Sequence, residues 1–284
     1  MLTSLRRTVR HRVGRALLDP LPDPRVLVAG LTGRAQPIAG KRILVTGASS
    51  GIGRSAAEAL AAEGATVIAV ARRVEELEDL GRRTGAHAFP CDLTDPDAVD
   101  EMCAKVVENF GGIDVLLNNA GHSIRRTAAD TALRLYDYDR LMQLNYHAPV
   151  RLTLDLLPAL RESRGQVINS STWGVPGGLM PNFTAYHASK AALSAFSASL
   201  QAEERANGLA VTQLHFPLMR TPMIAPTAAY AARPALEPED AVQWILAAVR
   251  YRPAQLMPAY VAFLQAAARV SPKWPESMVG SAGI

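Results

Sequence analysis

The sequence predicts an α/β protein, a single doubly wound parallel sheet flanked by helices. Short β-branched runs alternate with helix-length segments from Lys41 to Phe216, and strands alternating with helical stretches of roughly 10–15 residues imply parallel pairing. A glycine-rich turn, Thr46-Gly47-Ala48-Ser49-Ser50-Gly51-Ile52-Gly53, follows the first run and opens the first helix. At 284 residues, 49% apolar and 20% charged, the chain suits one large domain with an ordinary core.

Arg42–Thr46 reads as the first strand and residues 52–63 as the helix after the turn. Thr66–Ala71 is the second strand and residues 86–89 a short third. A helix over Pro96–Phe110 leads to a strand at 113–117. Residues 133–160 form a long helical stretch in which Pro149 and Pro158 mark irregularities. A strand at 166–170, a helix at 186–206 and a strand at Ala210–Phe216 complete six β units. Beyond them 238–250 reads as helix and 255–258 as an added edge strand. Residues 260–270 form an apolar helix that is core, dimer surface or cover over an apolar substrate site.

Asp19-Pro20-Leu21-Pro22-Asp23-Pro24 breaks helix and reads as a linker. It separates a basic extension, residues 1–24, from a single domain over 25–284 whose fold proper begins near Lys41. Residues 1–18 hold Arg6, Arg7, Arg10, Arg12 and Arg15 and no acid, so the rest of the chain carries −1 of the +4 net charge. The positive charge belongs to that segment and argues against a nucleic-acid surface on the core. Leu2, Leu5, Val9, Val13 and Leu17 recur at helical spacing opposite the arginines, the pattern of a basic amphipathic helix. Such a helix either contacts a membrane peripherally or packs on the domain or a second subunit. The segment lacks the apolar core and cleavage site of a secretory signal, and no uncharged apolar run is long enough to span a bilayer. A cytoplasmic protein, with or without membrane association, is therefore expected. Cys91 and Cys103 lack disulfide or metal-ligand spacing and read as buried thiols, with no metal site expected.

Tyr186 and Lys190 are the residues richest in chemistry. Four apart on a helix, they share one face with Cβ atoms about 5–6 Å apart. An ammonium there favours phenolate over phenol and is expected to lower the tyrosine pKa. A tyrosine so placed exchanges a proton with a carbonyl or alcohol oxygen. The glycine turn, Gly47, Ser49, Ser50, Gly51, Ile52 and Gly53, presents backbone N–H groups and a helix N-terminus to a pyrophosphate. Arg72 and Arg73 follow the second strand, where an acid would bind a ribose 2′-OH. Unless they are merely solvated, they provide charge and donors for a 2′-phosphate and favour NADP(H). Asp92-Leu93 is placed to meet the adenine, and the small residues of Asn118-Asn119-Ala120-Gly121 admit close approach of the cofactor.

With these motifs in this order, together with Asn145 and the Ser170-Ser171 pair, the chain resembles the short-chain dehydrogenase/reductase family from about Lys41 to Met223. The resemblance implies a Rossmann-type sheet, a nicotinamide cofactor and homo-oligomers. It also implies a catalytic set in which Ser171 holds the substrate oxygen and Tyr186 transfers the proton. Lys190 lowers the tyrosine pKa and binds the nicotinamide ribose, and Asn145 props a relay water. Ser171 is chosen over Ser170 because it stands three before Gly174. Met219 and Thr221 fall where nicotinamide contacts are expected. The chain departs from the family pattern in a longer loop over 173–184 and in Phe216-Pro217 where Pro-Gly is usual. The family's usual last strand has no clear match.

The stretches CDLTD (91–95), NNAGHSIRR (118–126), MQLNY (142–146) and PLMRTPMIAPT (217–227) are similar to bacterial long-chain fatty acyl-CoA reductases that form aldehydes. This implies NADPH-dependent reduction of a lipophilic carbonyl, above all a long-chain acyl-CoA thioester. Arg125 and Arg126 are then candidates for coenzyme A phosphates, or else solvated surface charges. A ketone or alcohol reductase for 3-oxoacyl or lipid alcohol substrates is the alternative, and a catalytically silent nucleotide-binding scaffold a remote one.

Overall fold

The computed structural model describes residues 17–20, 35–224, 230, 233–271 and 273. Seven parallel strands form one sheet in the order β3-β2-β1-β4-β5-β6-β7. They are β1 Arg42–Thr46, β2 Thr66–Ala71, β3 His87–Pro90, β4 Val115–Asn118, β5 Gln166–Thr172, β6 Ala210–Phe216 and β7 Gln255–Leu256. The strand order reverses between β1 and β4, which opens a crevice beyond their carboxyl ends. The two-residue β7 pairs with β6 and is the edge strand expected at 255–258.

Successive side chains on a strand point to opposite faces, and each face carries its own core. Ile43 and Val45 of β1 pack with α1 (Gly51–Ala62), α2 (Val74–Thr84) and α9 (Pro238–Tyr251). Leu44, between them, packs with α3 (Pro96–Phe110), α5 (Ala148–Asp155) and α8 (Thr184–Glu204) on the other side. With both faces covered, β4 and β5 are buried along their whole lengths. The sequence reading assigned no element to α2, whose acidic and basic residues flank only two buried apolar positions, Leu77 and Leu80.

The stretch 133–160 is interrupted more than the prolines alone suggest. It comprises α4 (Tyr136–Met142), a π-helical turn (Gln143–His147), α5 and α6 (Leu157–Glu162). The break before α6 falls at Leu156, and Pro149 sits in the first turn of α5, where its missing N–H costs nothing. A short α7 (Gly174–Gly177) follows β5. The apolar segment at 260–270 is α10 (Ala259–Val270), whose buried Val261 and Leu264 pack on Trp173 in a satellite cluster with Leu179 and Met180.

The amphipathic pattern over 1–18 lies outside the described residues except for Leu17 and Leu18, as do residues 21–24 of the linker. Asp19 and Pro20 are described and held against the domain. The Asp19 carbonyl accepts from Ala259 N at 3.0 Å, and Pro20 bridges Pro258. Among the described residues no helix is long and apolar enough to cross a membrane.

Candidate active site

The strand ends and the loops beyond them enclose a cavity of about 580 Å³. Its first wall is the glycine turn. Gly47 and Gly51 have φ of 70° and 54°, which side-chain-bearing residues rarely adopt. A Cβ on Gly47 would stand 3.0 Å from Ala120 Cα, so the turn is seated directly on the end of β4. Thr46 clamps that junction, its Oγ1 accepting from Asn119 N at 2.9 Å and Ala120 N at 3.0 Å. Bare backbone therefore faces the cavity at the N-terminus of α1. The cradle fits a dinucleotide pyrophosphate.

Gly47, Ser49, Ser50, Gly51, Ile52, Arg72, Arg73, Asp92, Leu93, Asn119, Ala120, Gly121, Met219 and Thr221 all line the cavity. Gly53 does not. It lies beneath the turn, where a Cβ would overlap the Gly47 carbonyl oxygen and the Asn119 amide, so its role is packing. The Arg73 guanidinium donates to Ser49 Oγ at 3.0 and 3.2 Å, joining the end of β2 to the glycine turn. Asp92 Oδ1 accepts from Thr94 N and Thr94 Oγ1 at 3.0 and 2.8 Å. These bonds, with the positive charge of Arg72, hold its carboxyl below the usual range.

Tyr186, Lys190, Ser170, Ser171 and Thr172 converge at another wall of the cavity. Lys190 is buried, and its Nζ donates to the Ser170 carbonyl at 2.9 Å. Burial pushes this ammonium down to about 8. The expected lowering of the tyrosine is overturned: burial pushes the Tyr186 hydroxyl up to about 12, and a hydrogen bond from the Thr172 side chain only partly opposes it. Desolvation of the phenolate outweighs the stabilisation inferred from helical spacing.

Two further residues of the expected set have surroundings of their own. Asn145 sits in the π turn, fully buried and off the cavity wall. Its Oδ1 accepts from His122 N at 2.9 Å, and its amide donates to the His122 carbonyl and Ser189 Oγ at 2.9 and 3.0 Å. The side chain is thus committed to anchoring the His122 loop and α8. Ser171 Oγ is buried without a hydrogen-bond partner, and the hydroxyl joined to Tyr186 is that of Thr172.

The apolar part of the cavity comes from Trp173, Met180, Phe183, Phe216, Leu218 and Met223. Arg125 lines it and is hydrogen-bonded to Tyr230, a wall residue the sequence reading did not single out. Arg126 is a different case. Its guanidinium pairs with buried Asp137, which also meets Arg134 at 3.2 Å, and its backbone N donates to the Asn182 carbonyl at 2.7 Å. It braces a loop and is withdrawn as a coenzyme A candidate. Burial pushes the Cys91 and Cys103 thiols up to about 11 and 12, leaving little thiolate. Among the described residues no three His, Cys, Asp or Glu side chains are grouped to hold a metal ion.

The family model for short chain dehydrogenases matches residues 41–231. The chain belongs to the short-chain dehydrogenase/reductase family, and is an oxidoreductase whose cleft takes a nicotinamide cofactor. It is 41% identical to a fatty acyl-CoA reductase of Mycobacterium tuberculosis over 279 residues, 96% of this chain and 95% of that protein. A fatty acyl-CoA reductase of Acinetobacter baylyi is 45% identical over 225 residues, covering 77% of this chain and 76% of its own length. A short-chain dehydrogenase from Streptomyces avermitilis superposes with a TM-score of 0.73 at 32% identity, over 86% of this chain and 99% of that structure.

Proposed function

We propose that this protein uses NADPH to reduce a long-chain fatty acyl-CoA thioester to the aldehyde. The observation that carries the reading is the meeting of Tyr186 and Lys190 with an apolar wall in one cavity, in a chain similar over nearly its whole length to a fatty acyl-CoA reductase. A nicotinamide dinucleotide bound in the cleft supplies the hydride.

The glycine turn holds the pyrophosphate, and Arg72 and Arg73 receive the 2′-phosphate. Tyr186 gives its proton to the oxygen of the reduced carbonyl, and the Lys190 ammonium steadies the phenolate left behind. The Tyr186 phenolate takes the hydroxyl proton back as the C–S bond of the adduct breaks, the thiolate leaves and is protonated by solvent, and the aldehyde remains. Trp173, Met180 and Phe183 keep water from the reacting carbon and take up the first methylenes of the acyl chain. The test is NADPH oxidation over a panel of acyl-CoAs, aldehydes and ketones with product identification. Stoichiometric free thiol supports the proposal, whereas NADPH consumption without thiol release on ketones alone replaces it with a ketone reductase.

Arg72→Asp is expected to lower the ratio of kcat/KM with NADPH to that with NADH by about tenfold or more. It trades a 2′-phosphate partner for a 2′-OH acceptor and repels the phosphate. Steady-state kinetics with both cofactors check it, and an unchanged ratio means the arginine is only solvated.

We also infer that residues 1–18 hold the protein reversibly at anionic membranes. Each arginine near such a surface contributes about 1 kcal/mol, weakened by salt. A chain beginning at Pro24 should keep activity on a water-soluble substrate and fail to sediment with anionic liposomes. Equal sedimentation of both forms at low salt refutes the attachment.

A further inference from the structure

We propose that Arg125, whose guanidinium the Tyr230 phenol holds at the cavity rim, is an anion site that receives a phosphate carried by the leaving thiol of the acyl thioester. The inference rests on the thioester reading of the cavity and names the part of the substrate recognised outside the acyl chain.

The backbone separates the two adjacent arginines. Arg126 N donates to the Asn182 carbonyl at 2.7 Å, and Arg126 bridges Phe183 in the parallel sense. Neighbouring side chains on such a strand-like stretch point to opposite sides. Arg126 turns to Asp137, while Arg125 lines the cavity. The bridge also fixes where Arg125 stands. Phe183 packs edge-on against Tyr186, with ring centroids 6.2 Å apart, so the Arg125 loop is anchored on the proton-donor side of the cleft. Arg72 and Arg73 belong to the β2–α2 junction instead.

The partner of Arg125 is the second part of the argument. Arg126 and Arg134 meet Asp137, and Arg220 meets Glu237 at 3.2 Å. Arg125 is hydrogen-bonded to a phenol. Burial pushes the Tyr230 hydroxyl up against the pull of the Arg125 and Arg233 charges, so it is neutral at physiological pH and does not compensate the guanidinium. A planar guanidinium pairs with phosphate through two parallel bonds, a match that a single phenol oxygen does not offer. A phosphate therefore displaces Tyr230 from Arg125. Arg125 is exposed although it lines the cavity. With the acyl end against Trp173, Met180 and Phe183, the hydrophilic carrier of the thiol stays in water and is tethered at this rim by its phosphate.

The test uses the full-length protein with NADPH and the lauroyl thioesters of coenzyme A, of pantetheine 4′-phosphate and of pantetheine, which lacks phosphate. Free thiol is measured. Wild-type kcat/KM should be at least about tenfold higher with lauroyl-CoA than with lauroyl-pantetheine, the size of one charge-assisted contact. Arg125→Gln keeps a donor for Tyr230 and removes the charge, and should shrink that ratio to about threefold or less, mainly through KM. Arg125→Lys keeps the charge without the fork and should retain part of the ratio. Tyr230→Phe frees the arginine and should leave the ratio at or above its wild-type value. If Arg125→Gln does not fold, Arg125→Met against Arg125→Lys makes the same comparison. An effect shared by the pantetheine 4′-phosphate thioester places the contact at the phosphate that coenzyme A has in common with acyl carrier proteins. An effect on lauroyl-CoA alone places it at the phosphates of the nucleotide, and either result supports the inference. Equal kcat/KM on all these thioesters, or an Arg125→Gln loss that falls on them alike, makes the Arg125–Tyr230 contact a structural tie and overturns the inference while the thioester reading stands. NADPH affinity is titrated by fluorescence in parallel, and a loss there matching the loss in kcat/KM assigns Arg125 to the cofactor and overturns it too. A wild type that reduces ketones and releases thiol from no thioester overturns the reading beneath.

Discussion

Tyr186→Phe is expected to lower kcat about a thousandfold, within the range of lost general acid catalysis, and to leave NADPH affinity within about threefold. The ring and its edge-on packing against Phe183, with centroids 6.2 Å apart, are retained. Only the transferable proton goes. The unmutated hydroxyl stands at about 12, so the phenol form is present throughout the neutral range and reduction does not wait on protonation of Tyr186. Single-turnover measurement of NADPH oxidation separates the chemical step from release. More than about a tenth of the wild-type rate in that assay removes Tyr186 from the proton-transfer role.

Lys190→Met is expected to lower kcat about a hundredfold and to remove a limb of the pH profile. The sign follows from the ammonium, which burial holds at about 8. Below that pH Lys190 is charged and steadies the tyrosinate formed on proton transfer; above it the charge is lost. For the wild type, kcat/KM in the reductive direction should be flat through neutrality and fall as pH rises past about 8. The methionine variant should be low and show no such fall. A wild-type profile flat far beyond that pH refutes the charge role. The substitution also strips the Ser170 carbonyl of its donor, so melting temperature is measured in parallel to separate instability from lost chemistry.

Much of the frame is legible because local and tertiary signals agree. β1, β2, β6 and α3 have the bounds their sequences suggest. In α3, Asp95 caps the first turn and Gly111 ends the helix in the left-handed region. α2 escaped the sequence reading because its mean character is polar, although its few apolar residues keep helical spacing on one buried face. The end of β5 is misleading for a different reason. The expected strand stops at Ser170, yet the ladder with β6 continues to the Thr172–Phe216 pair. Arg126 and Asp137 find each other only through the path of the intervening loop. The rise of the Tyr186 pKa is likewise tertiary: helical spacing gives the neighbour, but burial decides the direction.

The contact of Asp19 and Pro20 with the start of α10 fixes where a leash would pull. Force or confinement acting through the first sixteen residues enters the domain there, and α10 backs Trp173 and Met180 of the apolar wall. The glycine turn and the two arginines of the dinucleotide end are built on other elements, α1 and the β2–α2 junction. An attached surface would thus be coupled to the greasy end of the cleft. Under the proposed function, a fatty chain would pass sideways from bilayer to protein, while the dinucleotide exchanges through the aqueous side.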